Sequence, residues 1–523
     1  MNALLVAVVL ASVVVAVTAV SRRYGLLNPI ALVIVGLILA LVPGFPVLRL
    51  EPELVLIGIL PPLLYVAALE TSVPAFRYNL RPILLLAVGL VLVTAVAVGL
   101  TVHVMLPQVP LAACLALGAV VAPPDAIAAT AVARRIGLPR RVVTILEGES
   151  LLNDATALVL FRVAVLAATG AAVGPMAIGR QVVLAAGGGI LVGAIGALAA
   201  AYVHRKTTDP LLDNSISLIT PFAVTAVAES IHASAVVAVV VTGLYLGHRM
   251  PTLMSAQSRL QMSAFWKMAT YMIEGLVFLL VGLQLREVLA NLQAPLEEVV
   301  WVTLAVLLAV VGVRFLWMYP ATYLTRLLPR VRRRDPAPHI SIPTVLAWAG
   351  MRGVVTLATA LALPATLAGG MEYPRALFVW LAFAVIVGTL VLQGMTLPTV
   401  ARLLRVPQDD PTRDILAEAQ VQQQASKAAL ERLEELAERT TPDVVAKLRQ
   451  LTEHRSNSVW ERLGGNRETP SAAYVRLRRE MLEAERAVFR TARDEGKIPE
   501  EVLVRAQRDM DLEESMLHRM GEA

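Results

Sequence analysis

The chain has 523 residues, 57% of them hydrophobic, with a mean hydropathy of +0.68 and a formal net charge of +6, which makes it far more apolar than an ordinary soluble domain. The basic surplus lies in residues 1–405, where 27 Lys and Arg face 16 Asp and Glu, while residues 406–523 carry 19 against 24. It therefore reads as a membrane-topology signal and argues against a nucleic-acid partner. One cysteine, Cys114, excludes an intrachain disulfide and a cysteine-based metal or redox centre.

Only Met1 and Asn2 precede the first apolar run, so it lacks the charged leader of a cleavable signal and is expected to remain as the first span. Thirteen apolar segments are expected to cross the bilayer: 3–20, 26–43, 53–72, 82–106, 111–133, 142–168, 179–203, 211–232, 234–248, 264–285, 298–325, 339–367 and 374–404. The ninth is short, and its separation from the eighth rests on the polar step from Glu229 to Ser234, so twelve is the rival count.

With the N-terminus outside, the inner segments hold twenty Lys and Arg, among them Arg77, Arg81, Arg134, Arg140, Arg141 and Arg326, and the outer segments only Arg49, Arg180, Arg286 and Arg375. That bias favours thirteen spans and a cytoplasmic C-terminal tail in the plasma (inner) membrane. The tail, 406–523, is expected to be a small helical regulatory or assembly domain. Its helices are bounded by an apolar-periodic stretch over Asp414–Glu438, by Thr441-Pro442, by Gly464-Gly465 and by Ile498-Pro499.

Among the charged residues of the expected spans, seven acids stand out, Glu70, Asp125, Glu147, Glu149, Asp154, Glu229 and Glu274, along with Arg162, Arg314 and Arg352. Each costs about 2.5–3.5 kcal/mol at a helix centre, so ten together require a polar interior or mutual pairing. The densest group runs from Glu147 to Asp154 in the sixth span. Asp154 lies about 18 Å along that helix, near the bilayer midplane, and Glu147, Ser150 and Asp154 share one face at i, i+3 and i+7. Glu149 points away from them.

In the fifth span Ala122-Pro123-Pro124-Asp125 should break the helix and free carbonyls that can coordinate a cation, with Asp125 capping the second half. In the twelfth, Gly350-Met351-Arg352-Gly353 suggests a second break. The two spans run in opposite directions, so the predicted fold is an all-α polytopic membrane protein. Its thirteen or so helices form 6+1+6 inverted repeats around two crossing broken helices. Arg352 is expected either to neutralise half-helix C-termini or to pair with Glu149.

On these residues the chain resembles the sodium/proton exchanger branch of the monovalent cation/proton antiporter family. The resemblance rests on Gly148 to Asp154 continued through Ala155-Thr156-Ala157-Leu158-Val159-Leu160-Phe161, on Pro61-Pro62-Leu63-Leu64-Tyr65, on Ala122 to Ala126 and on Gly350 to Gly353. It covers the membrane region to about residue 404. It implies that Asp154 binds the cation or the proton, that Ser150, Asn153 and carbonyls near Pro123 help to form the site, and that Glu149 pairs with Arg352. The Asn153-Asp154 pair resembles electroneutral members. Pro124 stands where many members have Thr, and Ala155 where Gly is common. Glu70 lies where some relatives place a further carboxylate. The remaining intramembrane charges, Glu229, Glu274, Arg162 and Arg314, are expected in structural pairs or dimer contacts, and Glu147 in an access funnel.

The implied activity is exchange of a monovalent cation, Na⁺ before Li⁺ or K⁺, for H⁺ by a homodimer in the lipid bilayer, with no cofactor beyond the transported ions. Cation and proton would compete at Asp154 as the site alternates between the two sides. A K⁺/H⁺ antiporter is the nearest alternative, with an organic-anion transporter of the same fold and a sensor behind it. An intramembrane aspartyl protease would use Asp125 and Asp154, but its Gly-x-Gly-Asp signature is absent.

Overall fold

The computed structural model describes residues 3–43, 45, 50–170, 174–368, 372–461 and 469–522. Arg49 and the Gly464-Gly465 stop lie outside these residues. The chain divides into two compact units, Met1–Gln408 and Asp409–Ala523, three residues beyond the boundary drawn from composition. An isolated bridge between Thr366 and Glu372 is the only β-type pairing among the described residues, and everything regular is helical.

In the first unit, helices occupy each of the thirteen expected segments. Nine of those described are long and apolar enough to cross a membrane by length and composition, among them Leu80–Met105, Arg140–Ala168, Leu296–Leu327 and Arg375–Leu403. Asn28–Ala40, Leu54–Glu70 and Leu111–Val121 are shorter apolar helices. The tenth segment begins earlier than hydropathy suggests, at Ala256. Its polar first turns are held by Ser255, whose hydroxyl accepts from the Ser258 N–H at 3.1 Å.

Both proposed interruptions are present. Helix Leu111–Val121 stops before Pro123-Pro124 and resumes as Ala126–Arg135, with the Asp125 carboxylate accepting from the Ile127 N–H at 2.9 Å. Helix Ser341–Trp348 stops before Gly350 and resumes as Val354–Leu361. The two breaks touch: the Asp125 N–H donates to the Met351 carbonyl at 2.7 Å. Missing helical hydrogen bonds at one break are thereby satisfied by the other, which is how unwound backbone is tolerated at membrane depth.

Close backbone approach sets the frame around these breaks. A Cβ at Gly36 would lie 2.4 Å from the Leu279 carbonyl oxygen, and one at Gly282 2.3 Å from that of Val33. Small residues thus let Asn28–Ala40 and Ala256–Leu283 pack backbone to backbone. Tyr65 of the Pro61-to-Tyr65 motif is buried and tilts against Trp266 at 5.8 Å, and the Trp266 indole N–H donates to Ser217 at 3.0 Å. In that motif Tyr65 serves packing.

The second unit contains helices Pro411–Leu436, Pro442–Glu461, Pro470–Asp494 and Glu500–Glu522. The last two bury Val475, Leu482, Met510 and Leu517 between them. Arg478 forks onto Glu513 at 2.6 and 2.8 Å, and Arg486 bonds Asp511 at 2.6 Å.

Candidate functional site

Helix Arg140–Ala168 carries the acid cluster, and its periodicity distributes the cluster as the spacing predicted. Glu147, Ser150 and Asp154 line one cavity of about 390 Å³, together with Pro123, Pro124 and Asp125 of the break. Asp154 is 6% exposed. Among the described residues no cationic group pairs with its carboxylate, and the like charge of Asp125 acts on it. Leu63, Leu64, Val277 and Phe278 complete an apolar wall around the same cavity.

Asn153 faces the break rather than the cavity. Fully buried, it donates to the Pro124 carbonyl at 2.7 Å and so ties the aspartate helix to the unwound segment. Its side-chain amide oxygen is buried without a partner among the described residues. Of the carbonyls around the break, those of Val121 and Ala122 accept from Arg352 at 3.1 and 3.4 Å, and that of Pro124 from Asn153.

The expected Glu149–Arg352 pair does not form. Glu149 is bonded instead by Arg314, whose two terminal nitrogens reach its carboxylate oxygens at 2.6 and 2.8 Å, both side chains being 1% exposed. The guanidinium of Arg352 is committed to the carbonyls of Gly350, Val121 and Ala122. Those of Val121 and Ala122 are orphaned by the end of helix Leu111–Val121 and carry its negative dipole end, while Gly350 follows the end of helix Ser341–Trp348. Arg314 is therefore an internal structural pair and not a dimer contact, while Arg162 meets Glu229 at 3.4 Å near the surface.

The other acids divide by depth. Glu147 is bonded to Arg134 at 2.6 Å; both line the cavity, and the Arg134 side chain is exposed. Glu70 lines the same cavity but is exposed, so it does not share the enclosure of Asp154. Glu274, expected in a structural pair or a dimer contact, contributes a half-buried carboxylate to the cavity from the Ala256–Leu283 helix. Residue spacing could not reveal that, because it depends on how two distant helices pack. Asp213, within the eighth expected span but not singled out from the sequence, is fully buried and meets His204 at 2.9 Å.

The family profile described as "Sodium/hydrogen exchanger, transmembrane" matches residues 8–403, which span both breaks and the whole cavity. The chain belongs to this family. Among its relatives is an uncharacterized Na(+)/H(+) exchanger of Mycobacterium tuberculosis, Rv2287, 38% identical over 98% of this chain and 96% of that protein. Another, from Bacillus pumilus, is named a sodium, potassium, lithium and rubidium/H(+) antiporter. It is 31% identical over 71% of this chain and 57% of its own length. The fold matches that of the sodium proton antiporter MjNhaP1 from Methanocaldococcus jannaschii, with a TM-score of 0.58 over 76% of this chain and 97% of that one at 18% identity. As a member of the sodium/hydrogen exchanger family, the protein is a multi-pass membrane transporter and not an enzyme.

Proposed function

We propose that the protein exchanges a monovalent cation for H⁺ in the plasma membrane by competition of the two ions at Asp154. What carries this reading is a buried carboxylate that lines an apolar-walled cavity with no described basic side chain to neutralise it. An ionised group so enclosed is costly to leave alone. A proton or an alkali ion relieves that cost, each in place of the other. Ser150 lies one helical turn away on the same wall, and the Pro123 carbonyl belongs to the unwound segment facing it. They are the candidate further oxygen ligands, with Asn153 holding the segment in register.

If the empty charged form crosses poorly, only loaded forms alternate between the two sides and the ions move in opposite directions. The Asn153-Asp154 pair supports an electroneutral cycle, and the residue bias supports a cytoplasmic tail. Sodium is the proposed ion. The breadth of cations in the name of the Bacillus pumilus relative makes potassium the alternative to test. Pairing of two copies into a homodimer follows the family resemblance.

The test is proton flux in proteoliposomes of the purified chain after Na⁺, Li⁺ or K⁺ pulses. The intact chain should acidify or alkalinise the lumen according to the cation gradient. Asp154→Asn should abolish coupling while leaving the melting temperature in detergent close to that of the unsubstituted chain. Full exchange by the Asn variant would refute the assignment.

A further inference from the structure

A second cavity, of about 70 Å³, opens at the end of the first unit where helix Leu80–Met105 begins and helix Leu296–Leu327 ends. Arg81, Arg141 and Arg326 all line it, and its remaining wall is mostly apolar, with Leu85, Met318 and Leu346 among the residues that form it. One carboxylate answers the three guanidiniums: Asp335 accepts from Arg141 at 2.7 Å and from Arg326 at 2.6 Å. Among the described residues Arg81 has no carboxylate bonded to it. It donates to the Thr325 hydroxyl at 2.5 Å, and its Nε is buried without an acceptor among the described residues. Among the described residues the pocket thus holds two more positive than negative charges and a cationic N–H left without an acceptor.

Its position narrows the ligand. The charged residues stand at the ends of membrane helices, the level at which lipid phosphates lie, while the apolar wall continues inward along the same helices. A basic pocket between membrane helices is the expected form of an anionic-headgroup site, and a guanidinium cluster suits the planar, multi-oxygen face of a phosphate. The cavity is too small for a nucleotide.

We propose that this pocket binds the phosphate of an anionic phospholipid, held by Arg81, Arg141 and Arg326, with the glycerol ester end against Leu85 and Met318. The site also touches the exchange machinery. Ile145 lines it one turn before Glu149, and Met318 one turn after Arg314. Leu346, another lining residue, accepts from the Arg314 Nε at 3.1 Å. A bound lipid therefore braces the helices that carry the Glu149–Arg314 pair.

The experiment titrates the purified, delipidated full-length chain with short-chain phosphatidylglycerol, phosphatidylcholine and inorganic phosphate, reading bound lipid by native mass spectrometry and the melting temperature in parallel. Phosphatidylglycerol should bind saturably and raise the melting temperature, and phosphatidylcholine should do neither at the same concentration. Arg81→Gln should weaken phosphatidylglycerol binding about fivefold, the loss of one headgroup-facing arginine. Arg77→Gln, an exposed arginine on the neighbouring surface that does not line the pocket, should leave binding unchanged. Ala321→Phe, which fills the apolar part and keeps every charge, should also weaken lipid binding, and it decides the matter if the Arg81 variant fails to fold. Equal binding of the two lipids, or equal loss in the Arg77 and Arg81 variants, overturns the proposal. So does inorganic phosphate binding as tightly as phosphatidylglycerol with Ala321→Phe without effect, which assigns the pocket to a soluble anion.

Discussion

Arg314 and Glu149 form a two-pronged ion pair with both side chains almost entirely buried, joining the middle of the aspartate helix to a helix 165 residues further along the chain. The low dielectric makes such a pair asymmetric in its effects: removing one partner strands a charge, while replacing both with apolar groups of similar size strands none. Arg314→Met is expected to destabilise the protein by about 3–5 kcal/mol. The double variant Arg314→Met with Glu149→Leu should recover most of that loss. Melting curves in detergent, compared through the double-mutant cycle, measure it. Arg352→Met combined with Glu149→Leu should give no such recovery, since those two residues do not pair.

Gly353 stands where the two breaks cross, and a Cβ there would lie 2.2 Å from an Asp125 carboxylate oxygen. That contact is with a cap whose carboxylate also holds the Ile127 N–H, so it has little room to yield. Gly353→Ala should separate the breaks, lengthen the Asp125-to-Met351 hydrogen bond and reduce exchange to a few per cent or less of the unsubstituted rate. Gly312→Ala is the control. Among the described residues no atom beyond its own helix turn lies within 4 Å of a Cβ at Gly312, and a helix-interior alanine should be neutral or slightly stabilising there. Flux assays on the two variants separate crowding at the crossing from a general intolerance of alanine for glycine.

Much of this was legible in the sequence because local rules govern it. Paired prolines break a helix whatever surrounds them, an aspartate placed after them caps the next one, and helical period assigns Ser150 and Asp154 to one face and Glu149 to another. What escaped was partner choice across the fold. Arg314 and Arg352 were both intramembrane arginines, and no local pattern says that one meets Glu149 while the other serves the half-helix carbonyls. The same limit hid Glu274, whose place in the cavity follows from the glycine contact between Asn28–Ala40 and Ala256–Leu283. Polar first turns, as at Ala256, also lie beyond the reach of hydropathy, which registers only the apolar part of a helix.

Asp335, in the segment between helices Pro329–Arg334 and Ser341–Trp348, provides a pH-dependent clamp. Burial pushes its carboxyl up, but the hydrogen bonds and charges of Arg141 and Arg326 outweigh burial and hold it below the ordinary value near 3.8. With the folded value lower than the unfolded one, the clamp's contribution is fully present above the unfolded value and is lost as pH falls through the folded one. The difference in melting temperature between the intact chain and Asp335→Asn should therefore be constant from about pH 7 to about pH 5 and shrink below about pH 4. A difference that widened on acidification would contradict the assignment.

Glu274 tests whether the cavity works as one electrostatic unit. Its carboxylate comes from a different helix than Asp154, is half-buried and faces the same space. In a cavity with apolar walls, a second negative charge raises the local concentration of cations without itself having to bind one. Glu274→Gln preserves shape and removes only that charge. It should raise the cation concentration for half-maximal exchange severalfold while leaving the maximal rate within about twofold, the pattern of lost ground-state attraction. Asp154→Asn, by contrast, should remove the maximal rate itself. Concentration series at two ionic strengths provide the check, because attraction through the open part of the cavity weakens with salt. An unchanged half-maximal concentration at both would mean that Glu274 is screened from the ion path, and that Asp154 with its nearest oxygens sets the affinity alone.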